Sequence, residues 1–230
     1  TVGLANPPFS AEATSSLIEL QSDINESFLI PGIEIHYGGV TQSIQESQSL
    51  LNMIFPQIVI ILSAAIYILL LIQLKSAFTP IRLIYTILTS VAVSLALVYF
   101  VFYFTLNIPV VSFVPLFVAV TMLGVGIDYD IFLVTRIREE VLNGKSDNEA
   151  IKTAISKTGG TIMGLGLILA SVFGSLMFTG IPILQEIGMA VAVAVIFDTF
   201  IVILFVVPAL MGMAQRLNWW PSKPRAIKKN

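Results

Sequence analysis

Five long stretches of apolar residues dominate the chain, and each is long enough to cross a membrane as a helix. A helix rises about 1.5 Å per residue, so about 20 apolar residues span the hydrocarbon core. The stretches are separated by breaks that hold proline, asparagine, glycine or charged residues. This pattern predicts five transmembrane helices, near residues 54–74, 82–104, 110–135, 159–180 and 184–212.

The residues before the first span follow a more mixed pattern. Apolar residues recur at helical spacing over 11–28, and residues 33–37 alternate as a half-buried strand does. A further helix is predicted to start after Thr41, a candidate N-cap, and to continue into the first span. About fifty residues with one strand are unable to bury a core of their own. We therefore expect residues 1–50 to be a small α/β external segment that closes a larger porter-like domain.

The longest break between spans, near residues 137–157, is charged and amphipathic. It contains a predicted turn at Asn143 and Gly144, and we interpret it as a helix on the cytoplasmic surface. The predicted organisation is an external piece at 1–50, a transmembrane domain at 51–215 and a basic cytoplasmic tail at 216–230.

The positions of Lys and Arg predict the orientation. All twelve fall between Lys75 and Lys229, in loops, helix ends and the tail that share one side when the spans alternate. Cytoplasmic loops near membrane helices carry such an excess, so the C-terminus is expected in the cytoplasm and the first fifty residues outside the cell membrane. Trp219 and Trp220 are interpreted as anchors at the cytoplasmic interface. No signal peptide precedes the external segment, so we expect the chain to be the C-terminal part of a longer protein.

Composition excludes several classes of function. Hydrophobic residues make up 56% of the chain and charged residues only 11%, with a net charge of −2, which indicates a membrane protein without nucleic acid as a partner. The absence of Cys from the sequence excludes disulfides and thiol active sites. The glycine-rich stretch 159–166 lacks the Gly-Lys-Ser/Thr ending of a phosphate-binding loop. We expect no cofactor, no metal site and no catalytic residues, and so no enzyme.

One carboxyl lies where an apolar helix should have none. Asp128, in the third span, would cost about 2.5 to 3.5 kcal/mol at the centre of a membrane, so such a residue usually faces protein or water. Burial favours its neutral form, which predicts that Asp128 carries a proton, with Tyr129 as its hydrogen-bonding partner. Gly124 and Gly126 would let another helix or water approach. An interfacial role is the alternative for Asp128, and it is our interpretation of Asp130, which is nearer the basic helix end.

The last two spans carry further polar candidates. Asp198, near the middle of the last span, is either a second relay group or a carboxyl that holds helices together through Ser or Thr hydroxyls, such as that of Thr161. Gly160 and Gly164 have the spacing of small residues that pack helices closely, with water access beside the hydroxyls as the alternative. Glu186 is interpreted as an interfacial residue at the outer end of the last helix.

Several of these motifs together resemble one transporter family. Gly-Ile-Asp-Tyr-Asp-Ile-Phe-Leu-Val-Thr-Arg, which begins at Gly126, is similar to the Asp-Tyr membrane helix of the MMPL branch of the resistance-nodulation-division (RND) transporters. Further similar segments extend over most of the chain, at residues 38–41, 73–80, 157–162, 197–210 and 219–221. One difference is that the family often has an Arg a few residues after the last-helix Asp, whereas residues 200–204 here are all apolar.

The resemblance implies an architecture and a mechanism. The family has two homologous halves, each with six membrane helices and an external domain, so the five spans would be helices 8 to 12. Proton flow through Asp-Tyr pairs would drive export of lipids or other hydrophobic molecules. Asp128 and Tyr129 would be the second half's pair, with membrane lipids, protons and an N-terminal half with a matching Asp-Tyr helix as partners. The alternative is a transport-inactive module of the same fold that senses lipid or scaffolds a partner.

Overall fold

The computed structural model describes residues 11–27, 35–106, 108 and 110–221. Within these residues, one helix precedes five helices that are long and apolar enough to cross a membrane. The predicted five-span, multi-pass bundle is therefore confirmed. The helices are α1 (Ala11–Ser27), α2 (Val40–Leu74), α3 (Phe78–Thr105), α4 (Phe113–Leu142), α5 (Asp147–Phe178) and α6 (Pro182–Ala214).

The segment before the first span is helical over 11–27 and again from Val40 onward. Helix α1 agrees with the helix predicted at 11–28, and α2 continues into the first span as predicted. Thr41 is not the N-cap of α2, because the helix begins at Val40, two residues earlier than predicted, and Gly39 is its N-cap. Gly39 has φ 123°, a conformation that favours glycine. Of the strand predicted at 33–37, the last three residues are irregular and the first two lie outside the described residues.

The charged break between the third and fourth spans is not a separate surface helix, which corrects the interpretation of 137–157. Helices α4 and α5 instead extend through it and meet at the predicted turn, where Gly144 has φ 93°. Antiparallel helix ends that pack on each other show the same amphipathic pattern as a surface helix, and Ile137 and Ile151 are buried between them. The Glu149 carboxylate accepts hydrogen bonds from the main-chain N–H and hydroxyl of Ser146, which caps α5.

An ion cluster holds this turn together. The Glu140 carboxylate lies 2.8 Å from the Lys145 ammonium, 2.9 Å from that of Lys157 and 3.3 Å from the Arg136 guanidinium. Glu140 itself is 4% exposed, whereas its three cationic partners reach solvent. One acidic side chain therefore links the end of α4, the turn and the first turns of α5.

A short helical segment after α6, Gln215–Trp219, is hydrogen-bonded to the same end of the bundle. The main-chain oxygen of Asn218 accepts hydrogen bonds from the hydroxyls of Ser76, at 2.7 Å, and Thr79, at 2.8 Å. Its side-chain amide donates to the main-chain oxygens of Met211, at 2.7 Å, and Gln215, at 2.9 Å. Asn218 thus ties the end of α6 to the junction between α2 and α3.

Trp219 is part of the packed structure and not a membrane anchor, which corrects its interpretation. Its ring is buried, and its indole N–H donates to the Asp147 carboxylate at 3.3 Å. Trp220 is exposed. Indole rings suit both environments, because they join a large apolar surface to one hydrogen-bond donor.

Helix α6 has a local change of geometry in its middle. The segment Asp198–Val206 is a π-helix, which is wider than an α-helix, and it ends just before Pro208. Proline has no N–H to donate, and its ring clashes with the carbonyl four residues earlier, so the preceding helix is disturbed. The side chains of Asp198 and Thr199, which open the wide turn, are both buried. Such turns occur often at functional sites.

Candidate functional site

The two aspartates of α4 point to different sides of the helix. Asp128 is exposed, on the same face as exposed Gly124, whereas Asp130 is 0% exposed. Residues two positions apart in an α-helix are about 200° apart around the helix axis, so Asp128 and Asp130 cannot both face the same neighbouring helix. The interpretation of Asp130 as interfacial was therefore wrong. Tyr129, between them, is half-buried.

Asp130 lies in the interior with two other ionisable side chains. Arg82 of α3 is 4% exposed and Asp198 of α6 is 1% exposed. The three residues come from helices α3, α4 and α6, which pack against one another. The sequence had placed Arg82 at the start of its helix, but α3 begins a full turn earlier, at Phe78, so Arg82 is inside the bundle.

These charges lack direct partners within the described part of the chain. The three guanidinium nitrogens of Arg82 and both carboxyl oxygens of Asp130 are buried without a hydrogen bond to a described atom. Asp198 is better satisfied, because the Ser90 hydroxyl donates to its Oδ1 at 2.8 Å, while its Oδ2 has no described partner. Thr161, the predicted neighbour of Asp198, is exposed on α5 instead.

A buried polar stripe on α3 faces this region. Its four residues are spaced four apart, so they lie on one side of the helix. The Ser94 hydroxyl donates to the main-chain oxygen of Ala190 in α6. The spacing was a signal in the sequence that our predictions missed. The stripe consists of Arg82, Thr86, Ser90 and Ser94, each at most 4% exposed.

Glu186 is also buried, which corrects its interpretation as an interfacial residue. It is 0% exposed, and its Oε2 accepts a hydrogen bond from the main-chain N–H of Val111 at 2.9 Å. Val111 lies just before Ser112, the N-cap of α4, so Glu186 satisfies a backbone donor of the segment that leads into the helix. This carboxyl joins α6 to the start of α4.

The glycines differ in what surrounds them. Gly126 packs closely against α3, since a Cβ placed on it would lie 3.2 Å from Ile87 Cγ1. No described atom comes within 4 Å of a Cβ placed on Gly124, Gly160 or Gly164. Two glycines that the sequence analysis did not select make the closest helix contacts. A Cβ on Gly166 would lie 2.5 Å from Thr199 Oγ1, and one on Gly188 would lie 2.6 Å from the Phe173 oxygen.

The bundle of membrane-spanning helices buries carboxyls, an arginine and hydroxyls, which are the kinds of group that form proton relays in membrane proteins. Within the described residues no group of three His, Cys, Asp or Glu side chains is arranged to hold a metal ion. A multi-pass bundle with such intramembrane ionisable groups is typical of transporters. The chain belongs to the MMPL family, whose model matches residues 1–230. This confirms the resemblance, and relatives in this family are named as transporters.

Three relatives illustrate the range of the family. The apo-petrobactin exporter of Bacillus anthracis is 31% identical over 96% of this chain and 31% of its own length. The mycolic acid-containing lipids exporter MmpL11 of Mycolicibacterium smegmatis is 31% identical over 87% of this chain and 22% of its own length. The heme uptake protein MmpL11 of Mycobacterium tuberculosis strain H37Rv is 33% identical over 81% and 20%. The chain thus spans less than a third of each of these relatives.

Proposed function

We propose that the chain is the C-terminal half of a proton-motive-force-driven exporter of lipids or other hydrophobic molecules. The observation that carries this proposal is Asp128, a carboxyl on the exposed face of a membrane-spanning helix, next to Tyr129. A charged carboxylate that faced lipid would cost about 2.5 to 3.5 kcal/mol at the bilayer centre. Another protein surface is therefore needed over this face of α4.

A matching Asp-Tyr helix from an N-terminal half would supply that surface. It would bury Asp128 between two helices, where the carboxyl can alternate between its charged and neutral forms. Exposed Gly124, one turn away, leaves room for the close approach of that helix. The greater length of the three relatives supports the presence of such a half.

Proton entry would provide the energy for transport. Each proton that moves inward releases roughly 2.3 kcal/mol per 100 mV of membrane potential. That energy would shift the external domain between conformations, with residues 1–50 outside as its closing piece and the C-terminus in the cytoplasm. The exporter names of the Bacillus and Mycolicibacterium relatives favour export, and the lipids in the second name favour a lipid cargo. The heme uptake name of the third relative leaves the choice of cargo to experiment.

Replacing Asp128 by Asn in the full-length protein tests the proposal. Asn has nearly the same shape but cannot exchange a proton, so export should be lost while the protein still folds and reaches the membrane. Asp128→Glu is the matched control, because it keeps a carboxyl and should retain part of the activity. Export at the wild-type rate by Asp128→Asn would reject Asp128 as the proton carrier. Absence of export by the wild-type protein itself would favour the transport-inactive, lipid-sensing or scaffolding alternative.

A further inference from the structure

A groove with a volume of about 320 Å³ lies between α4 and α5, near the turn that joins them. Four of its lining residues come from α4 and two from α5. All are polar except one phenylalanine, which lies at the end of the groove nearer the middle of α4. The lining consists of Phe132, Thr135, Arg136 and Glu139 from α4, and Lys157 and Thr158 from α5.

The groove lies on the same face of α4 as Asp128. Successive residues of an α-helix are about 100° apart around the helix axis and rise about 1.5 Å along it. By this geometry, three lining residues lie within about 40° of the direction of Asp128, at about 6, 11 and 17 Å from it along the axis. They are Phe132, Thr135 and Glu139. The groove therefore extends from the first turn after Asp128 towards the end of the bundle.

The charged side chains of the lining need solvation. The Arg136 guanidinium donates to the Glu139 carboxylate at 2.6 Å, and the Lys157 ammonium donates to the Glu140 carboxylate at 2.9 Å. These bonds use only part of the five donors of Arg and the three of Lys. Contact of the remaining donors with hydrocarbon would be costly. Water is the solvent that satisfies them.

The groove also has the room and the partners that water needs. An enclosed water molecule requires about 10 to 15 Å³ and two to four polar partners. The hydroxyls of Thr135 and Thr158 donate to carbonyls of their own helices, at 2.7 and 2.8 Å, so their oxygens can accept hydrogen bonds from water. The groove can therefore hold several water molecules in a row.

We propose that this groove is a water-filled passage through which Asp128 exchanges its proton with the solution at this end of the bundle. The matching helix of the N-terminal half would cover the open side of the groove and close it into a channel. The inference rests on the proposed function, because Asp128 is the group that the passage serves. The Lys and Arg pattern favours the cytoplasm for this end, so a proton that moves inward would leave through the groove.

Phe132 is the apolar barrier between the water and the carboxyl. It lies one helical turn from Asp128, forms the only apolar part of the lining, and is 45% exposed. Narrow apolar segments gate pores because water leaves them. A permanent water connection would let protons leak past Asp128 without transport. The phenylalanine ring would prevent that leak until the helices move.

The reaction rate of single cysteines with a charged, membrane-impermeant methanethiosulfonate tests for water in the groove without measuring transport. The sequence has no Cys, so each variant adds one thiol to these residues, and wild type gives the background. We expect Thr135→Cys, in the full-length protein in lipid vesicles, to react at least about tenfold faster than Tyr85→Cys, because the reactive thiolate forms poorly in apolar surroundings.

Tyr85 is the matched control for depth in the membrane. It is exposed, and it lies as many residues from the start of α3, at Phe78, as Thr135 does from the end of α4, at Leu142. The two helix ends lie on the same side of the bundle, because Arg138 near the end of α4 donates to the last carbonyl of α2, just before α3 begins.

Proton flux into the same vesicles tests whether the groove is the path. Reaction of Thr135→Cys should stop the flux, because the attached group fills the groove. Lys152→Cys, exposed on α5 outside the lining, should react as fast and keep its flux. Phe132→Ala should raise the flux in the absence of cargo, because the barrier is removed. Phe132→Leu is its control, since it keeps an apolar barrier.

The outcomes separate this inference from the proposed function. Equal, slow reaction of Thr135→Cys and Tyr85→Cys would overturn the passage, even if Asp128→Asn carries no protons. Fast reaction that leaves the flux unchanged would also overturn it, because the groove would then hold water without carrying protons. Absence of flux from wild type would reject the proposed function, and the role of the passage with it, whatever the reaction rates are. Fast reaction with loss of flux would support both.

Discussion

Replacement of Gly166 by Ala should destabilise the bundle, because the structure leaves no room for a side chain there. A Cβ on Gly166 would lie 2.5 Å from Thr199 Oγ1, 2.7 Å from Cγ2 and 2.9 Å from Cβ. Rotation of the Thr199 side chain about χ1 moves its Oγ1 and Cγ2 but not its Cβ. The backbones of α5 and α6 must therefore separate until the 2.9 Å contact approaches the 3.4 Å of ordinary van der Waals contact.

The expected loss is that of an overpacked core. Forcing an extra methyl group into well-packed helices costs about 1 to 3 kcal/mol. A loss of that size corresponds to about a 5- to 150-fold change in an equilibrium constant. Thr199 is β-branched and therefore stiff, which places Gly166→Ala towards the upper part of this range.

Unfolding of the full-length protein in detergent micelles measures the effect. Gly174→Ala is the matched control on the same helix, since its Cβ would lie 3.9 Å from the Ala192 Cβ, an ordinary contact. We expect its free energy of unfolding to stay within about 1 kcal/mol of wild type. Thr199→Ala in the Gly166→Ala background should recover part of the loss, because two of the three close atoms are removed. Equal stability of Gly166→Ala and Gly174→Ala would refute the close contact.

Two further predictions concern the end of the bundle that holds the turn between α4 and α5 and the residue Asn218. Glu140→Gln should lower the unfolding midpoint, because three cations lose their shared carboxylate, and this difference from wild type should shrink at high salt. Glu139→Gln, at the exposed neighbouring residue, is the control. An equal change of the unfolding midpoint in both variants would contradict the ion cluster. Asn218→Ala leaves two main-chain carbonyls without their amide donor and should cost about 1 to 3 kcal/mol, measured by unfolding and by faster proteolysis after α6. Leu217→Ala, at an exposed neighbouring residue, should change neither the stability nor the rate of proteolysis. Wild-type stability of Asn218→Ala would contradict the structural role of the Asn218 hydrogen bonds.

The spans were predictable from the sequence because hydrophobic length alone selects them. A run of about 20 apolar residues has few alternatives to a membrane helix, so all five appeared near their predicted positions. Helix ends were less predictable. The second span was expected from Arg82 onward, but α3 begins four residues earlier, and that single turn moves Arg82 from an interface into the interior.

The rotation of each helix was the main property that the sequence did not reveal. In α4, Asp128 and Asp130 lie on opposite faces, and hydropathy cannot choose which one faces the bundle when apolar residues surround both. Close packing shows the same limit. The motif formed by Gly160 and Gly164 lies on an open surface, whereas Gly166 meets Thr199, a residue that no local pattern pairs with it. The polar spacing along α3 was the one available signal for its buried polar stripe. The role of Asp128 and Tyr129 remains a prediction.

Proton flux tests the proposed mechanism most directly. The full-length protein would be placed in lipid vesicles with an imposed pH gradient, and a pH-sensitive dye would report proton entry. We predict flux with wild type, partial flux with Asp128→Glu and none with Asp128→Asn, at equal amounts of folded protein. Wild-type flux from Asp128→Asn, or no flux from wild type, would contradict proton coupling through Asp128.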